Sequence, residues 1–177
     1  MIVMMAGLPG TGKSSLARAL AERLPAAVLD KDRIRATLFE PGYVEYSREQ
    51  DDFCLEIMLK TAGYLLAKDG GRHVIMDGRT FSRRYQRERV FQFCRTAGAT
   101  WAILECVCCE RTALDRLDYA MAEGTHPAAN RTPELYERVR DLWEPIDEPK
   151  LVIDTDDAFE FGIQRALEYL RSGGRAG

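Results

Sequence analysis

Residues 7–14 read Gly-Leu-Pro-Gly-Thr-Gly-Lys-Ser, and their reading decides that of the whole chain. They fulfil the pattern G-x-x-x-x-G-K-[ST], the phosphate-binding loop or P-loop. Gly7, Gly10 and Gly12 let the backbone turn where a Cβ would obstruct it, so that successive N–H groups converge on phosphate oxygens. Lys13 has the length to reach the β- and γ-phosphates of a nucleotide, and the Ser14 hydroxyl suits Mg²⁺. Gly7, Gly10, Thr11, Gly12, Lys13, Ser14 and Ser15 are thus the expected nucleotide-binding set.

The flanks agree with the loop. Ile2-Val3-Met4-Met5-Ala6 is a short apolar run suited to a buried parallel strand. Ser15–Leu24 repeats Leu and Ala at helical spacing, with Leu16, Ala17, Leu20 and Leu24 on one face. Strand, glycine loop and helix follow in the order the motif needs. The helix aims its positive end at the phosphates.

The chain has 177 residues, 46% hydrophobic and 30% charged, as in a soluble single domain. A net charge of −3 argues against a dedicated nucleic-acid binder, which carries a basic surplus. The apolar start MIVMM lacks a charged leader, and no stretch approaches the ~18 apolar residues of a membrane span. A cytoplasmic protein is expected. Five cysteines (Cys54, Cys94, Cys106, Cys108 and Cys109) read as free thiols, and the last three as buried structural thiols rather than a metal site, because no second Cys/His pair stands at zinc spacing.

Further strands are expected at Ala26–Leu29, His73–Met76, Thr100–Val107 and Leu151–Ile153. The expected helices run over Lys31–Phe39, Ser47–Lys68, Ser82–Ala97, Glu110–Met121, Pro133–Trp143 and Ala158–Leu170. Ser47 with Gln50 looks like a capping box, and Ser82 like an N-cap. In the long helix Phe53, Ile57, Thr61 and Leu65 recur at spacing four. Residues 122–131 (AEGTHPAANR) look like a loop, with His126 solvent-exposed. Residues 172–177 are expected to form a flexible tail. Five strands alternating with helices predict an α/β three-layer sandwich: a five-stranded parallel sheet with helices on both faces, in a single domain over residues 1–171.

Ligands on such sheets bind beyond the carboxyl ends of the strands. Strand one ends at the loop, strand two at Asp30-Lys31-Asp32 and strand three at Asp77-Gly78-Arg79, so three polar clusters converge on one rim. Asp32 and Arg35 stand three apart at a helix start and face the same way. Transfer of a phosphoryl group to an alcohol needs a carboxylate near the hydroxyl, and it gains from an arginine that holds the acceptor. Val74-Ile75-Met76-Asp77 has the form of a Walker B strand; Asp77 would hold Mg²⁺ through water or meet the acceptor, with Arg79 beside it. Arg83, Arg84, Arg87 and Arg89 read mostly as a solvated helix face. Tyr43, Tyr46, Phe53 and Tyr85 read as core and cap packing, with an acceptor pocket as the other reading.

The segments GLPGTGKSSLA (7–17), DKDRIR (30–35), VIMDGRTFSRRYQRERV (74–90), CERTALDRL (109–117) and VIDTD (152–156) together resemble the P-loop kinases of the polynucleotide 5′-kinase, chloramphenicol phosphotransferase and zeta-toxin-like type, small kinases of the AAA kind. The resemblance spans nearly the whole chain. It implies the P-loop NTPase strand order 2-3-1-4-5, with Asp32 as general base and Arg35 as substrate-positioning arginine. It also implies Arg116 as an arginine contacting the nucleotide phosphates, Arg131 as a second such candidate, and a small lid over residues 118–131. The expectation is an ATP- and Mg²⁺-dependent phosphotransferase acting on a small-molecule hydroxyl, with Lys13, Asp32 and Arg116 in the catalytic group. Arg35, Asp77 and Arg79 would meet the substrate, and Ser14 and Asp77 the metal. The guanine-reading pattern N-K-x-D is absent, which favours ATP. A polynucleotide or nucleotide kinase and a nucleotide-dependent regulatory ATPase are the alternatives.

Overall fold

The computed structural model describes residues 1–124, 128, 130 and 132–174. Strands β1 (Ile2–Ala6), β2 (Ala26–Asp30), β3 (His73–Asp77), β4 (Trp101–Val107) and β5 (Leu151–Asp154) form one parallel sheet in the order β2-β3-β1-β4-β5. The helices are α1 (Lys13–Ala21), α2 (Lys31–Leu38), α3 (Arg48–Lys68), α4 (Arg84–Ala97), α5 (Glu110–Glu123), α6 (Pro133–Asp141) and α7 (Phe159–Arg171). Among the described residues no helix is long and apolar enough to cross a membrane.

The central strand β1 is buried along its whole length, which accounts for its unbroken apolar sequence. Val3 and Met5 face one layer, with Leu16 and Leu20 of α1 and Ile163 and Leu167 of α7. Ile2, Met4 and Ala6 face the other, with Leu55 and Met58 of α3 and Val90 and Phe91 of α4. The next strands in sequence after β1 lie to one side of it, and β4 and β5 lie to the other. This reversal opens a crevice at the carboxyl end of β1, where the glycine loop sits.

Several local expectations are corrected. Helix α1 begins at Lys13, two residues before Ser15, because Gly12 takes the cap position at φ 79°. Ser47 does cap α3, accepting from Gln50 N at 3.1 Å, but the Gln50 side chain bonds Glu45 N and Tyr43 O and closes no capping box. The buried face of α3 is Cys54, Leu55, Met58 and Ala62 rather than the stripe through Phe53, which is 49% exposed; a spacing of four drifts off a 3.6-residue period. Arg83, not Ser82, is the N-cap of α4. Cys106 is buried as expected, but Cys108 is half-buried and Cys109 is exposed, capping α5 through its sulfur. Residues 172–174 follow α7, with Gly174 N bonded to Tyr169 O at 3.0 Å.

Arg87 departs furthest from its expected place. It is 2% exposed, between α4 and the segment before β5. Its guanidinium donates to Phe81 O (3.1 Å), Pro145 O (3.1 Å) and Glu148 (3.2 Å), so it ties residues 145–148 to α4. A buried cation is tolerated only with such partners. Arg87→Met should keep the volume but leave two carbonyls and a carboxylate unpaired. The unfolding free energy in a urea titration should fall by roughly 3 kcal/mol.

Candidate active site

The glycine loop is fitted to its surroundings by backbone contact. Gly7 and Gly10 hold φ of 135° and 81°, and an added Cβ would stand 2.3 Å from Cys106 O and 2.4 Å from Ala113 O respectively. The loop is thereby clamped between β4 and α5. No side chain caps α1, so the N–H groups of its first turn remain available to an anion. Thr11 Oγ1 and Lys13 Nζ both donate to Leu8 O, at 2.8 and 2.6 Å, and Lys13 is buried beneath the loop. Gly10, Gly12, Lys13, Ser14 and Ser15 line one side of an outer depression of about 730 Å³, and Arg116 of α5 lines the other. Arg116 bonds Gly10 O (3.4 Å) and both the hydroxyl and carbonyl of Thr155 (2.9 Å each), bracing loop, α5 and the β5 end together.

On the inner side of the loop a cavity of about 440 Å³ is walled by the starts of α2, α3 and α4 and by α6. Asp32 and Arg35 both reach it, and each is almost fully buried. Asp32 pairs with Arg35 at 3.1 Å and with Lys31 at 3.2 Å. Asp51, from the first turn of α3, receives Lys31 at 2.8 Å and also bonds Arg35. Arg79 bonds Asp51 O at 2.9 Å and Asp52 at 2.6 Å. Three carboxylates and three cations thus form one network joining the ends of β2 and β3 to α3. Tyr46, at a φ of 51°, lies under Arg35 at 5.0 Å, and Tyr85 lies under Arg48 at 4.2 Å. The Nε–H groups of Arg35 and Arg79 are buried and have no hydrogen-bond partner among the described residues.

The sequence-predicted residues therefore separate into three places. Lys13, Asp32, Arg35 and Arg79 share the inner cavity. Gly10, Gly12, Ser14, Ser15 and Arg116 share the outer depression, and Lys13 lines both. Asp77 is not with Asp32; it lines a third cavity of about 380 Å³, with Asp30, Arg33 and Arg18. Its Oδ1 is buried without a hydrogen-bond partner among the described residues, and Arg18 also borders the outer depression. Among the described residues no three His, Cys, Asp or Glu side chains cluster as a metal site. The unpartnered Oδ1 of Asp77 leaves lone pairs that suit a hydrated ion such as Mg²⁺. Of residues 118–131, 118–123 are the end of α5 and Gly124 its cap. Arg131 and His126 lie outside the described residues.

Sequence reasoning missed Lys31, Asp51, Asp52, Arg48 and Arg138 as site residues. Asp51 and Asp52 read as acids at a helix start, where the dipole favours them anyway. The contact to Arg35 and Arg79 comes only with the fold. Tyr46 and Tyr85 line the cavity, whereas Tyr43 is 70% exposed and outside it.

Strand order, rim and glycine loop together define a P-loop kinase-like α/β protein. A sequence model of the AAA domain family matches residues 2–146, and the chain belongs to that family. Among solved structures, a candidate kinase of Chloroflexus aurantiacus aligns over 97% of both chains with a TM-score of 0.76 and 24% identity. The Mycobacterium tuberculosis APS kinase CysC, with AMPPNP and APS, aligns over 96% of both with a TM-score of 0.70 and 22% identity. Kti12 of Chaetomium thermophilum, with ADP-AlF3, covers 100% of both with a TM-score of 0.72 and 15% identity. These likenesses establish the fold. An uncharacterized Mycobacterium tuberculosis protein, Rv2004c, is 37% identical over 87 residues, 44% of this chain but only 17% of the relative's length.

Asp30 caps α2, its carboxylate accepting from Asp32 N at 2.9 Å and Arg33 N at 3.3 Å. Burial, then the charges of Asp77 and Asp32, raise its pKa above the ordinary 3.8. The folded state thus holds this proton more tightly than the unfolded chain does. Its contribution is most favourable below about pH 3.8 and is lost as pH rises through the raised value. Asn keeps the capping oxygen without the charge. Asp30→Asn should raise Tm at pH 7, and its advantage over wild type should shrink steadily as pH is lowered to 4.

Proposed function

We propose that the protein is an ATP- and Mg²⁺-dependent kinase that phosphorylates a hydroxyl group of a small molecule. The observation that carries this reading is the position of Lys13. It lines both the outer depression, where the loop and α1 present their N–H groups, and the inner cavity, where Asp32 waits. A γ-phosphoryl group lying along Lys13 has the nucleotide on one side and an acceptor on the other, the arrangement in-line transfer requires.

The roles follow from that placement. Gly7, Gly10, Thr11, Gly12, Ser14 and Ser15 hold the α- and β-phosphates through the loop and the α1 start. Lys13 moves from Leu8 O to the phosphates. Arg116, beside Gly10, adds positive charge to the nucleotide side. Ser14 would hold the metal directly and Asp77 through water; bound there, Mg²⁺ neutralises charge on the transferring group. Asp32 accepts the proton of the acceptor hydroxyl. That oxygen forms a bond to the γ-phosphorus, the bond from the phosphorus to the β–γ bridging oxygen breaks, and ADP leaves with that electron pair. Lys31, Arg35 and Asp51 hold Asp32 in place, and Arg79 fixes α3 beside them. The cavity volume suits a small molecule.

Asp32→Asn should lower kcat for phosphoryl transfer about 10²- to 10⁴-fold while ATP affinity stays nearly unchanged. Transfer of labelled γ-phosphate to an alcohol panel checks this, alongside nucleotide binding by calorimetry. An undiminished kcat would remove Asp32 from the chemistry.

A further inference from the structure

Helix α6 has two faces with different work. Tyr136, 4% exposed, packs with Ala113 and Leu117 of α5. Arg140 lies over the Tyr136 ring at 5.9 Å and bonds Glu110 at 2.7 Å. These contacts dock the helix on α5. The other face, Leu135, Arg138, Val139 and Leu142, follows helical spacing and lines the inner cavity. It is an apolar strip that carries one solvent-exposed cation, Arg138. Among the described residues Arg138 has no ion-pair or hydrogen-bond partner, unlike Arg140 two positions on.

The charge of the whole cavity points the same way. Among the described residues Lys13 and Lys31 line it with Arg35, Arg48, Arg79, Arg83 and Arg138, against two carboxylates, Asp32 and Asp51. Asp52 and Glu144 pair with Arg79 and Arg83, and cations still predominate. The chain as a whole is acidic, at −3, so this surplus is local to the site. Two of the buried guanidinium groups, Arg35 and Arg79, also retain Nε–H donors without a partner among the described residues. Arg48 is held only loosely, 3.8 Å from Asp52, and rests on Tyr85. A neutral alcohol would leave these charges facing one another; an oxyanion would balance them.

We propose that the acceptor is itself an anion, a small hydroxyl compound that already bears a carboxylate or phosphate group. Arg138 grips that group from α6 and Arg48 from α3, so that the hydroxyl faces Asp32. This rests on the kinase reading above and adds the acceptor's chemical class.

The test uses matched acceptors: uncharged sugars, polyols and nucleosides, each beside its carboxylate or phosphate form. Rates at saturating ATP are measured for wild type, Arg138→Ala, Arg138→Lys and Arg48→Ala. Binding of the same compounds is followed by calorimetry with a non-hydrolysable ATP analogue present. The anionic member should be preferred in at least one pair. Arg138→Ala should raise its KM about 10- to 100-fold with a much smaller change in kcat, and Arg138→Lys should recover part of the loss. Equal use of the neutral member overturns the proposal, as does an unchanged KM. An equal rise in the KM for ATP would place Arg138 on the nucleotide, and use of 5′-hydroxyl oligonucleotides alone would make the acceptor a polymer; either result also overturns it. Absence of transfer to every compound would refute the kinase reading instead. The calorimetry then decides this inference separately: anion binding that Arg138→Ala abolishes supports it, and no such binding overturns it.

Discussion

Everything at the functional rim depends on how closely the glycine loop approaches the backbone beside it. At Gly7 and Gly10 the neighbours are main-chain carbonyls, Cys106 O and Ala113 O, which cannot swing aside as a side chain would. The loop is therefore packed directly against β4 and α5, in addition to its own hydrogen bonds to Leu8 O. Gly78 repeats the constraint at the end of β3, where a Cβ would stand 2.7 Å from Asp30 Oδ1 and 2.8 Å from Lys31 N. Absence of side chains at these points lets three strand ends crowd together, and the polar residues after them share one surface.

Crowding of charge at that surface is managed by pairing. Asp32, Arg35, Lys31 and Arg79 are each almost fully buried, and none would be tolerable alone. Asp51 and Asp52 of α3 supply the missing negative charge. Such a network contributes little net stability, because desolvation offsets the attraction. What it gives is position: it sets the start of α3 against the ends of β2 and β3 and leaves Asp32 facing the cavity. The loosely paired Arg48 and the exposed Arg138 line the cavity as well.

The two sides of the glycine loop are thus unlike. The outer side offers main-chain donors and the α1 dipole, features that suit phosphates of any nucleotide. The inner side is built of side chains from four helices, and its shape and charge belong to this chain. Lys13 is the one loop residue common to both. The outer side rests on a local motif and the inner on long-range packing, so nucleotide binding is far easier to read from this chain than acceptor choice.

The sequence alone determined the loop, the five strands, the parallel class and the converging clusters, because each is written in contiguous residues: a glycine pattern, apolar runs and helical periods. The strand order came by resemblance and the sheet agrees with it. Asp32 and Arg35 were legible for the same local reason, being three residues apart on one helix. Only the tertiary structure decided that Asp51 belongs with them, that Arg87 is a buried strut rather than a solvated side chain, and that Asp77 opens into a cavity apart from Asp32. Those facts join residues 16 to 61 positions apart, or depend on which side of a strand end faces which helix. A side chain's partners across such distances are set by packing of whole layers, and no local period records them. The same holds for Arg138. In sequence it is one more charge on an amphipathic helix, and it lines the inner cavity only because Tyr136 and Arg140 turn the other face of α6 onto α5.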